Sequence, residues 1–166
     1  MAETLGSLCD KLIIVNLKIW HSDDDAKRSS LLKQAVNIQG ELNEFMADAL
    51  KENIPHDKLT FASNKIYSKK GNDIEEIEGT IGSIFSKLAE VNCELWHQQE
   101  KVYEFEKVPV EQKNGVVKGL ALLNLKRNKC IDLIDRQFAD MVRDKCVLKT
   151  QIHLSNLRGN LSLAGH

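Results

Sequence analysis

Thr4–His21 reads TLGSLCDKLIIVNLKIWH, and Thr80–His97 reads TIGSIFSKLAEVNCELWH. In register, Thr, Gly, Ser, Lys, Leu, Val, Asn, Trp and His are identical, half of the aligned positions. Chance gives roughly one match in twenty, so the pair reads as an internal duplication. The likeness continues more weakly, with Lys33 and Asn43 aligning with Lys118 and Asn128. The offset there is 85 (118−33) instead of 76 (80−4), so copy two carries about nine extra residues, in EFEKVPVEQ.

Each copy predicts a helical hairpin. Leu5, Leu8, Leu12, Val15 and Ile19 step by three and four, as one apolar helix face does, and Ile81, Ile84, Leu88, Val91 and Leu95 repeat it. Thr4 and Thr80 are placed to cap the first free N–H groups. Leu31, Ala35, Ile38, Leu42, Phe45 and Ala49 give the second helix of copy one. Val116, Leu120, Leu123, Cys130, Ile134, Phe138, Met141 and Leu148 carry that of copy two, starting near Pro109 or Val116 and running past Lys149.

A lone hairpin cannot bury its own apolar face, so two must pack together. The expected fold is all-α: one domain, a four-helix-bundle-like pair of hairpins with pseudo-twofold symmetry. Its parts are hairpin one over 1–52, a packed crossover over 53–79, hairpin two over 80–158 and a frayed tail over 159–166. LTFAS, residues 59–63, is the one weak strand signal.

Composition narrows the function classes. The net charge is −1, which supplies no basic footprint for nucleic acid. The mixed charges of the N-terminus suit neither a signal peptide nor a membrane span. Cys9, Cys93, Cys130 and Cys146 are scattered, as reduced thiols of a cytoplasmic protein are, and form no zinc or disulfide pattern. Walker loops, dinucleotide fingerprints and nucleophile motifs are absent.

The candidate site comes from polar residues on apolar stripes. Asn16 and Asn92 fall near the stripe centres, with Trp20 and Trp96 beside them. A buried unpaired amide costs about 1–3 kcal/mol, so each Asn needs a partner. Two readings stand: the amides bond each other or a backbone carbonyl and fix register, or they line a polar pocket. Arg127 takes the place of Leu42 in copy one, inside its stripe, with Asn124 and Asn128 on the flank. An inward guanidinium needs an anion. Asp135 or Asp132 could supply it, and otherwise the anion is a small ligand such as a phosphate, a carboxylate or a nucleotide sugar. His21 and His97 point sideways, with Asp24 and Glu100 three residues on. That spacing suits a His–carboxylate bond at a helix junction better than an inward metal site, so no metal and no identified cofactor is assigned. Gly6 and Gly82 sit in first helical turns, where close packing or an approaching anion is served.

IVNLKIWHSDDDAK, with LNLKRNKCIDLID much later, resembles a bacterial domain-of-unknown-function family, number 4254. The resemblance covers the helical hairpins, most of the chain. It implies that Asn92, Trp96, His97 and Glu100 (or Asn16, Trp20, His21 and Asp24) act with Asn124, Arg127, Asn128, Asp132 and Asp135. It brings no established activity.

Two functions follow as expectations. The first is binding of a small anionic ligand by Asn16, Trp20, His21, Asn92, Trp96, His97, Asn124, Arg127 and Asn128, with catalysis undetermined. The second is a non-catalytic helical interaction module whose polar network is structural. A homodimer through the last helix is expected as well, because Ile134, Phe138, Met141, Leu148 and Ile152 form a stripe with little in the chain to cover it.

Overall fold

A computed structural model describes the backbone of residues 3–61 and 74–163, and side chains within them up to Val147. The chain is all-α. Its helices are α1 (Leu5–Trp20), α2 (Asp25–Leu50), α3 (Ile81–Tyr103) and α4 (Val110–Leu163), and no strand occurs among the described residues. Thr4 caps α1 in a reciprocal box: Ser7 N–H donates to Thr4 Oγ1 at 3.3 Å, and Thr4 N–H donates to Ser7 Oγ at 2.9 Å. Thr80 caps α3 in the same register, accepting from Ser83 N–H at 3.4 Å. Asp24 caps α2, accepting from Lys27 N–H at 3.0 Å. α4 starts directly after Pro109 and carries through Gly159, where the sequence suggests a frayed tail.

The helices alternate in direction. α1 runs against α4, because Gly6 meets Asp135 and Asp10 meets Arg127. α2 runs with α4, since Phe45 packs on Phe138 and the Lys145 ammonium donates to the Leu50 carbonyl. The two turns, 21–24 and 104–109, thus share one end of the bundle, the tip. The start of α1, the end of α2 and the start of α3 share the other, the base, and α4 runs on past it.

The described ends of the long connection both lie at the base: Leu50 beside Lys145, and Gly79 accepting from Gln137 Nε2 at 2.8 Å. A short 3-10 turn, His56–Lys58, lies against α4, with the His56 ring nitrogen 3.1 Å from the Ala139 carbonyl. It delivers Leu59 into the core with no exposure. LTFAS begins at this buried leucine, and its last two residues lie outside the described residues.

The main core occupies the base half. Leu5, Cys9, Ala49, Leu59, Ile84, Leu88, Cys130, Ile134 and Phe138 pack there. Burying each large aliphatic contributes about 1.5–3 kcal/mol. Val15, Ala35 and Ile38 form a separate small cluster between α1 and α2 nearer the tip. The stripe expected to await a second chain is closed at Ile134 and Phe138, which Leu59, Ala49 and Phe45 cover from within. Met141 is exposed, and the side chains of Leu148 and Ile152 lie outside the described residues.

The two similar stretches agree in their caps and apolar stripes and differ in their surroundings. Leu8 and Ile84 are both buried, as are Val15 and Val91. Yet α1 lies along α4, whereas α2 and α3 scarcely meet. A Cβ on Gly6 would stand 2.6 Å from the Ile131 carbonyl oxygen, while one on the matching Gly82 would meet nothing within 4 Å.

Candidate functional site

Where α1, α3 and α4 converge, three polar side chains close on one another. Arg127 donates from Nε to Asp10 Oδ1 at 2.8 Å and from Nη2 to Oδ2 at 2.5 Å. Asn92 Nδ2 donates to the same Asp10 Oδ1 at 2.9 Å and to the Leu88 carbonyl at 3.1 Å. Asp10 and Asn92 are buried, and Arg127 is partly so. The carboxylate takes a two-pronged guanidinium and an amide, so its buried charge is matched and its acceptors are filled.

Arg127 and Asn92 point inward, as their stripes require, but their partner is neither Asp132, Asp135 nor Asn16. It is Asp10, which the stripe reading passes over because Asp10 lies across α1 from the Leu5–Leu12 face. The repeat alignment holds a signal for it. Copy two has Ser86 where copy one has Asp10, just as copy one has Leu42 where copy two has Arg127. Each copy carries the half of the pair that the other lacks, and the two halves meet between hairpins.

Asn16 does not join them: it is exposed. A helical wheel collapses the axis. Asn16 faces the direction of Leu5 and Cys9, but near the tip, where α1 is packed chiefly by α2. Trp20, a turn further, is 83% exposed. Asn124 is exposed and returns its amide to the Leu120 carbonyl one turn back, at 2.9 Å. Asn128 is half-buried.

The histidines form a second group at the tip. His97 Nδ1 lies 3.3 Å from Glu100 Oε2, the spacing-derived bond, and the Trp96 indole N–H donates to Glu100 Oε1 at 3.0 Å. The His97 imidazole, followed by the Trp96 N–H, holds the Glu100 carboxyl below its usual range. His21 departs from the expected pattern. Asp24 is used as the α2 cap, and His21 stacks on Trp96, ring centroids 4.6 Å apart and 16° from parallel. The candidate residues therefore fall into an inner set of Asn92 and Arg127 and a tip set of His21, Trp96 and His97, with Trp20 bare beside them.

A third feature escaped the sequence. Gly6 N–H donates to Asp135 Oδ1 at 2.6 Å, so a carboxylate from α4 sits on the first turn of α1. The anion that the glycine turn could admit is part of the chain itself. Burial pushes the Asp135 carboxyl up to about 6; the Gly6 N–H and the Thr4 side chain oppose this, and Asp132 adds to it. The folded chain thus holds this proton more tightly than the unfolded chain does. Stability should fall as pH rises from about 4 to 6, then level off. Asp135→Asn should erase that slope. The advantage of the variant over the parent in urea unfolding should grow by about 2–3 kcal/mol from pH 4 to pH 7. An equal difference at both pH values would contradict the burial argument.

Among the described residues, no three His, Cys, Asp or Glu gather closely enough to hold a metal ion. No helix of the described residues is long and apolar enough to cross a membrane. No protein-family model, curated protein or solved structure matches this chain.

Proposed function

We propose that the chain is a non-catalytic helical interaction module that binds another protein surface through the tip of the bundle. The observation that carries this reading is the exposure of large apolar side chains in the tip half. Trp20, Leu32 and Val36 from hairpin one and Tyr103, Val110 and Val117 from hairpin two are all at least half exposed. Large exposed apolar side chains on both hairpins in the tip half are what a contact surface would use. The inner polar set serves structure in this reading. Asp10 occupies both prongs of Arg127, so an anionic ligand would first have to displace a buried carboxylate.

A cytoplasmic setting is part of the proposal. Cys9, Cys93 and Cys130 are free thiols, and burial, with Asp135 and Asp10 nearby, pushes the Cys9 thiol up to about 12, which leaves it inert. Membership of family 4254 belongs to the proposal too, resting on the Trp-His and Asn-x-x-Arg-Asn stretches.

Thermal unfolding in the presence of sugar phosphates, nucleotides and inorganic phosphate tests the reading. The expected result is an unchanged Tm with each of them. A saturable rise that disappears in Arg127→Met would overturn it in favour of an anion site.

A further inference from the structure

The duplicated Trp-His pair is used only once inside the chain. His21 of copy one stacks on Trp96 of copy two. The reciprocal pair, Trp20 and His97, stays open: Trp20 is 83% exposed and the His97 side chain 66%. Beside His97 lies a shallow groove open to solvent, lined by His97, Glu100, Lys101, Tyr103 and Glu104. A projecting indole and a groove with an unstacked imidazole are thus carried by one molecule.

We propose that two copies of this chain pair about a twofold axis, the Trp20 of each seated in the His97 groove of the other. The proposal rests on the interaction-module reading and names its partner. A twofold contact requires that residue i meet j while j meets i, which Trp20 and His97 satisfy. The imidazole would lie over the indole as His21 lies over Trp96, with added attraction whenever it is protonated. Charge fits as well. Asp23 and Asp25 follow Trp20 and are exposed, and Lys101 in the groove would face them. The two groove carboxylates are engaged from within the chain, Glu100 by His97 and Trp96 and Glu104 by Lys107 at 2.8 Å. An exposed tryptophan entering a partner's groove is the usual form of an interface anchor.

Sedimentation equilibrium over a wide concentration range tests it. The intact chain should pass from 18.8 kDa toward twice that mass. Trp20→Ala and His97→Ala should each weaken dimerisation at least about thirtyfold. At concentrations where the parent is monomeric, both variants should keep its Tm and circular dichroism, since neither side chain is in the core. A mixture of the two restores one of the two contacts, and should associate more tightly than either variant alone. Dimers indifferent to both substitutions would overturn the proposal. So would open-ended polymers, which mean a contact that does not close. A chain that stays monomeric also overturns it, yet leaves the module reading standing, because that reading fails only on an Arg127-dependent anion effect.

Discussion

Asp10→Ala is expected to lower the unfolding free energy by about 3–5 kcal/mol, although it removes a single carboxylate, the one acidic residue of α1. Truncation leaves the partly buried Arg127 guanidinium and the buried Asn92 amide without their shared acceptor. The cost is that of stranded partners, not the net strength of the pair. Asp10→Leu combined with Arg127→Met should therefore recover most of the loss, because apolar residues of similar volume replace both charges. Urea unfolding of the single and double variants measures this. Additive losses in the double variant would show that the two residues act independently, and would contradict the stranded-partner account.

Gly6→Ala should cost about 2–3 kcal/mol, and the matching Gly82→Ala should stabilise by about 0.5–1 kcal/mol. At Gly6 the new methyl meets the Ile131 carbonyl oxygen at 2.6 Å, and backbone cannot step aside as a side-chain end can. α1 must then lift from α4, and the Gly6–Asp135 hydrogen bond stretches with it. At Gly82 the space is open, so alanine's better helix propensity is the main change. Thermal melts of the two variants should move in opposite directions. A shared direction would mean that the hairpins contact their neighbours alike.

Much of the fold can be read from residues taken singly. Thr4 and Thr80 announce the starts of α1 and α3 because capping is local chemistry. The stripes of Leu8, Val15, Ile84 and Val91 announce their buried faces because helical period is local too. The inward turn of Asn92 and Arg127 is legible on the same ground. What is not legible depends on height along the axis. Asn16 sits on the right face but near the tip, where α1 lacks the cover it has at the base. Leu59 looks like loop and behaves as core, since the connection folds under the bundle. Asp10 is hidden because burial by a third and fourth helix extends beyond the stripe that a single neighbour predicts. Only the mismatch of Asp10 with Ser86, set beside that of Arg127 with Leu42, carries its role in the sequence.

The joint between hairpins also has a consequence in time. Its bonds link residues 117 and 129 positions apart, whereas each hairpin is held by neighbours in sequence. Helical turns and hairpins assemble early because little chain must be closed to form them. Asp10, Arg127, Gly6 and Asp135 come together only when two finished hairpins dock. They are expected to lock late: their loss should slow folding little and speed opening of the native molecule, which refolding and unfolding rates of Asp10→Ala would measure.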